Sequence, residues 1–139
     1  MAATKILLDS GPLVGFLSET DQHHRWALET WNRLYDPLLT CEAVLSEAIF
    51  LLQSDGVSIG PLRELFERDL VRIDFSLSNQ QPDIWELLRK YADQPMSLAD
   101  ACLVRMAELN ENCQIFTTDK DFLVYRRKGR GVIPLLSPF

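Results

Sequence analysis

Asp9, Glu47, Asp100, Asp119 and Asp121 are the side chains in this sequence whose types and surroundings could do chemistry. Glu47 is the most informative. On a helix its neighbours three and four positions away are Ala43, Val44, Phe50 and Leu51, all apolar, a face that a merely solvated glutamate would not occupy. An ionised carboxylate is costly to bury unless it is paired or coordinates a metal. Asp100 shares this character in part, with Leu103 and Val104 ahead of it and Met96 and Ser97 behind. Four or five carboxylates drawn together would repel one another unless protons or cations balanced them. Mg2+ or Mn2+ is the natural balance, because these hard ions take oxygen ligands and the sequence has no His or Cys cluster of the kind that zinc favours. One or two such ions, about 3.5 to 4 Å apart, can orient a water, lower its pKa and stabilise the oxygens of an in-line displacement at phosphorus. Hydrolysis of a phosphodiester is the reaction these residue types predict.

The elements that must position these acids follow from the hydrophobic pattern. Residues 4–8 read as a short buried strand closed by Asp9-Ser10-Gly11-Pro12, with Pro12 suited to the first turn of a helix. A helix is predicted from 20 or 21 to 35, with Ala27, Leu28, Trp31, Leu34 and Tyr35 on its apolar face and Asp36-Pro37 as its stop. Next come a strand over 38–40, a helix over 42–53, a helix over 59–69 and a strand over 70–75. A helix over 83–91 opened by Pro82, a helix over 98–111 capped by Ser97, a strand over 114–117 and a last strand over 132–135 complete the pattern. Strands separated by helices imply parallel crossovers, and so an α/β fold: a three-layer α/β/α sandwich with a short, mainly parallel central sheet. Its 139 residues suit one domain over 1–139, with no repeat or linker to divide it. Open parallel sheets bind ligands outside the carboxyl ends of their strands. Asp9 follows the first strand there, and Asp119 and Asp121 follow the strand over 114–117.

The formal charge of −6 argues against a broad electrostatic grip on nucleic acid, unless the excess acid is concentrated around bound cations that reverse the local field. Positive charge is crowded near the C-terminus in Arg126, Arg127, Lys128 and Arg130. Beside the last carboxylates these four, with Lys120 and Tyr125, are candidate contacts to a nucleic-acid backbone, the alternative being a solvated loop. Apolar runs are far shorter than the roughly 18 residues of a membrane span, and the N-terminus has no secretory leader pattern, so a cytoplasmic location is the expectation. Cys41, Cys102 and Cys113 lack metal-type spacing and are expected to be buried free thiols.

Each acid also has a purely structural reading. Asp9 could cap the helix that starts near Pro12, Ser97-Leu98-Ala99-Asp100 fits a capping box, and Asp119 and Asp121 are ordinary turn residues. Capping and metal contact are not exclusive. His23 and His24 lie far along the chain from the acids and, being adjacent, cannot share one helical face. Trp26, Trp31 and Trp85 fall in amphipathic helices and suit core or dimer packing better than base stacking.

The segments LLDSGPLVGFL, VLSEAIFLL, MSLADACLVRMA and IFTTDKDF resemble, in order and spacing, the acidic motifs of PIN domains, particularly those of VapC-like toxins. The resemblance spans nearly the whole chain. It implies a metal-dependent endoribonuclease in which Asp9, Glu47 and Asp100 are metal-site acids and the fourth acid is Asp119 or Asp121, with Asp119 favoured. Ser10 and Thr117 match the family's supporting hydroxyls. It further implies cleavage of tRNA or other structured RNA, homodimerisation, and inhibition by a small antitoxin protein. Rival readings are a catalytically idle RNA- or protein-binding PIN module, a related DNA nuclease, and a phospho-accepting receiver domain with Asp74 as acceptor. A receiver expects paired acids after the first strand and a lysine after the last, and neither is present.

Overall fold

The computed structural model describes residues 3–139; Met1 and Ala2, within the expected domain, lie outside the described residues. Three apolar runs form the first strands: β1 (Lys5–Leu8), β2 (Leu38–Thr40) and β3 (Val71–Ile73). They are joined through α1 (Ser10–Leu17), α2 (His24–Trp31), α3 (Glu42–Ser54) and α4 (Gly60–Glu67). The second half contributes α5 (Leu77–Lys90), α6 (Leu98–Leu109), β4 (Cys113–Phe116), a 3-10 turn at Lys120–Leu123, a short hairpin of β5 (Arg126–Arg127) and β6 (Gly131–Val132), and β7 (Leu135–Leu136).

All five strands of the main sheet are parallel, in the order β3-β2-β1-β4-β7. The chain builds outward from β1 in one direction, then returns to the other side of β1 with β4, which makes the β1–β4 boundary the switch point of the topology. Register there runs from Lys5 opposite Cys113 to Leu8 opposite Phe116, so the residues that leave the two strands emerge side by side.

Alternation along the strands divides the core into two layers. Leu7, Leu39 and Ile115 point to one face, where they pack with Ile84 and Leu87 of α5 and with Leu103, Val104 and Met106 of α6. Ile6, Leu8, Leu38 and Phe116 point to the other, against Leu13 of α1, Trp31 of α2, Ala48 and Leu52 of α3, and Leu62 of α4. The three-layer α/β/α expectation is met. All three cysteines are buried and free. Among the described residues no helix is long and apolar enough to cross a membrane.

Several boundaries differ from expectation, and three of them have a visible local reason. The helix expected to run to residue 35 ends at Trp31, and Tyr35 is 98 % exposed rather than on an apolar face; the residue before Pro37 is driven toward extended backbone, and the chain must turn into β2. α5 starts six residues early because Ser76 caps it, its hydroxyl accepting from the Asn79 N–H at 3.2 Å. Pro82 therefore lies inside the helix, where it forfeits one backbone bond while Ile84 and Leu87 are buried. The last strand is Leu135–Leu136, because Val132 pairs with Arg126 in a hairpin whose turn places Lys128 and Gly129 at φ of 51° and 80°.

Candidate functional site

Asp9 leaves β1 at the switch point and is only 4 % exposed. It caps α1, its Oδ1 accepting from the Ser10 N–H at 2.8 Å. The capping reading is therefore part of its role and not a rival to the rest, since its Oδ2 accepts from the Thr117 hydroxyl at 2.7 Å. Thr117 stands one residue beyond β4 and is itself oriented, because its oxygen accepts from the Asp119 N–H at 3.0 Å and its proton is left for Asp9. Asp119 in turn caps the 3-10 turn by accepting from the Asp121 N–H at 2.9 Å.

Glu47 reaches the same region from α3. It is half-buried, and its Oε1 accepts from the Ser10 hydroxyl at 3.1 Å. Ser10 thus donates its N–H to Asp9 and its hydroxyl to Glu47. Asp100 occupies the third position of α6 in a capping box: its N–H donates to the Ser97 hydroxyl at 3.0 Å and its Oδ2 accepts from the Ser97 N–H at 3.3 Å. A second donor reaches the same Oδ2, the Tyr125 hydroxyl at 3.0 Å.

The electrostatics link these groups into one cluster. Burial raises the Asp9 pKa to about 7, the charges of Asp100 and Glu47 push it further in that direction, and the Thr117 and Ser10 hydrogen bonds oppose the rise. Asp100 is raised to about 6, again first by burial, with the charge of Asp119 adding to it. Asp121 is raised by burial and then by Asp119. Burial and the neighbouring Asp100 also hold the Tyr125 phenol well above its ordinary value, so it stays a donor. All five acids are thus electrostatic neighbours by way of Asp9, Asp100 and Asp119.

Among the described residues no three acidic, His or Cys side chains are already gathered as a closed coordination set. Both oxygens of Asp9 accept hydrogen bonds, from the Ser10 N–H and the Thr117 hydroxyl. The donor chemistry nevertheless suits a hard divalent cation: carboxylate oxygens only, partly desolvated, with excess negative charge.

The other candidates fall elsewhere. The Arg126 guanidinium braces the carbonyls of Leu123, Val124 and Tyr125 at 2.7 to 3.2 Å. Arg127 donates to the carbonyls of Ala107 and Glu111 at the C-terminal end of α6, and the Lys128 N–H to Glu108. At about 1.5 Å per residue, Ala107 is already roughly 10 Å along the helix from Asp100. Arg127 and Lys128 are thus engaged with the end of α6 remote from Asp100. Arg130 is exposed on the hairpin, and Lys120 alone of the basic candidates sits between two of the acids in sequence, exposed on the 3-10 turn. Tyr125, expected to assist at an RNA surface, is fully buried.

His24 engages the Gly15 carbonyl through Nδ1 at 2.7 Å and His23 lies edge-on to Trp26, so neither joins the acids. Trp26 and Trp31 pack against Phe116, whereas Trp85 is largely exposed on α5. Asp74 faces Arg72 on a cavity of about 620 Å3 that none of the five acids lines.

Two contributors were not anticipated. Gly11 lets the loop after β4 approach α1: a Cβ there would stand 2.2 Å from the Thr118 hydroxyl oxygen. Tyr125, expected at an RNA surface, instead contributes from the interior as a partner of Asp100, a role that its place beside the basic residues 126–130 does not signal.

Comparison with known proteins follows the same outline. The family model for the PIN domain matches residues 6–128. No curated protein matches the chain. Among solved structures, Mycobacterium tuberculosis VapC20, a toxin that cleaves the sarcin-ricin loop, superimposes with a TM-score of 0.72 at 20% sequence identity, covering 84% of this chain and 92% of that one.

Proposed function

This chain belongs to the PIN-domain family, and from that premise we propose that it is a metal-dependent endoribonuclease that hydrolyses phosphodiester bonds of structured RNA, acting as the toxin of a toxin–antitoxin pair. The observation that carries the reading is the placement of Asp9: a nearly buried carboxylate at the switch point, held by Thr117 and Ser10, with Glu47 and Asp100 as charged neighbours.

Asp9, Glu47, Asp100 and Asp119 would hold Mg2+ or Mn2+, with Asp121 assisting directly or through water. A bound ion supplies Lewis acidity there, lowering the pKa of a water and offsetting charge on phosphate oxygens. Ser10 and Thr117 orient the carboxylates. Lys120, exposed beside Asp119 and Asp121, is the basic side chain best placed to meet the RNA backbone. The likeness in fold to a toxin that cleaves the sarcin-ricin loop supports a structured RNA as substrate, tRNA being the other source. A small protein antitoxin, homodimer formation, a cytoplasmic setting and a single domain over residues 1–139 complete the proposal.

The test is Mn2+-dependent cleavage of a ribosomal stem-loop RNA, bulk tRNA and a sequence-matched DNA strand by the unmodified protein, Asp9→Asn and Asp100→Asn. Cleavage of RNA but not DNA, lost in both folded variants and in chelator, is expected. Unimpaired cleavage by both variants would overturn the site assignment. RNA binding without cleavage by the unmodified protein would leave an idle PIN module instead.

A further inference from the structure

Tyr125 has none of its surface exposed, although the hairpin that follows it is mostly solvated. Its ring is gripped edge-on by Tyr91 and Phe122, with centroids 5.1 and 5.3 Å away. A phenol buried this deeply needs a partner for its hydroxyl, and here the partner is one of the clustered acids. The Ser97 N–H and the Tyr125 hydroxyl both donate to Oδ2 of Asp100, at 3.3 and 3.0 Å. Both of these bonds fall on Oδ2 and, among the described residues, none of comparable geometry falls on Oδ1, the Ser97 hydroxyl being only a minor further influence on the carboxylate. Two donors on one oxygen fix the carboxylate's orientation and leave the other oxygen uncommitted. The Tyr125 backbone adds a second tie, its N–H donating to the Asp121 carbonyl at 3.4 Å. One residue therefore joins the start of α6, which carries Asp100, to the turn that carries Asp119 and Asp121.

We infer that Tyr125 is a positioning residue of the acidic site, its hydroxyl holding Asp100 so that the second carboxylate oxygen stays available to a divalent cation. The inference rests on the metal-nuclease reading above. Partners that orient a ligand without touching the ion are worth roughly 10- to 100-fold in metal affinity or activity. Tyr91 supplies an internal control. It belongs to the same aromatic group, but its hydroxyl accepts from the Arg126 N–H at 2.9 Å and touches no acid.

The experiment titrates Mn2+ alone into Tyr125→Phe, Tyr91→Phe, Asp100→Asn and the unmodified protein by calorimetry, with melting temperatures recorded in chelator and kcat and KM measured on a stem-loop RNA. Tyr125→Phe is expected to bind Mn2+ about tenfold more weakly and to lose kcat with KM for RNA unchanged, while Tyr91→Phe binds Mn2+ normally. Unmodified affinity in Tyr125→Phe, or an equal loss in Tyr91→Phe, would overturn the positioning role. If Asp100→Asn binds Mn2+ as the unmodified protein does, the metal reading itself fails, and that outcome is distinct from the preceding two. The unmodified protein gives a readout independent of how the variants fold: the ζ-carbon resonance of its buried tyrosines should shift on addition of Mg2+, and an unmoved resonance would sink the inference.

Discussion

The Thr117 hydroxyl donates to Asp9 at 2.7 Å across the boundary between β4 and β1, joining residues 108 positions apart. This hydrogen bond opposes the burial that pushes the Asp9 carboxyl upward, and it favours the charged form. Thr117→Val keeps the shape and removes the donor. The loss is expected to cost about 1.5 to 3 kcal/mol of stability in chelator near pH 8, where Asp9 is ionised, and distinctly less near pH 5. Urea unfolding at both pH values reads the difference; equal losses would contradict the assignment.

Stability without metal should fall as pH rises. Asp9 sits at about 7 in the folded chain against an ordinary 3.8, so between those values the native state holds more protons than the unfolded state. The stabilising contribution is present at low pH and is lost toward pH 7, with a slope of up to about 1.4 kcal/mol per pH unit. Asp100, raised to about 6, steepens the lower part of the same window. Asp9→Asn should flatten most of the profile. Denaturant unfolding in chelator across this range checks it, and a profile equally steep in the variant would exclude Asp9 as its source.

Gly11→Ala should destabilise by about 1 to 3 kcal/mol, because the new methyl would lie 2.2 Å from the Thr118 hydroxyl oxygen. Thr118→Ala removes that oxygen, so the double variant should recover most of the loss. A double-mutant cycle measures the coupling, and additive losses would show that the two residues do not meet.

Ser10→Ala should leave the melting temperature in chelator nearly unchanged yet weaken Mn2+ binding roughly tenfold, since it frees Glu47 from the 3.1 Å hydrogen bond that orients it. Calorimetric titration decides; full affinity would place Glu47 outside the site.

Arg127 and Lys120 should separate cleanly. Arg127→Ala loses the guanidinium that caps the Ala107 and Glu111 carbonyls and should lower stability by about 1 kcal/mol with RNA affinity intact. Lys120→Ala should weaken RNA binding and reduce its salt dependence while stability holds. Filter binding over a salt series, paired with thermal melts, distinguishes them, and the reverse pattern would return the hairpin arginine to the RNA.

What was readable from the sequence depends on how far each interaction reaches. The Ser97–Asp100 capping box and Asp9 as the residue that opens α1 involve partners within four positions, and the hydrophobic period that implies crossover helices is local too. The apolar neighbours of Glu47 misled in part: α3 buries Val44, Ala48 and Leu52, while Phe50 and Leu51 are exposed. Helix ends were less legible, because Ser76 competed with Pro82 for the start of α5 and the turn into β2 cut α2 short. Other features belong to the tertiary structure alone. The adjacency of β1 and β4 aims Thr117 at Asp9, Tyr125 beside the basic residues buries itself against Asp100, and carbonyls at the end of α6 and just beyond it hold Arg127. Desolvation and pairing are set by whichever surfaces the packed sheet and helices press together, and those surfaces come from segments remote along the chain.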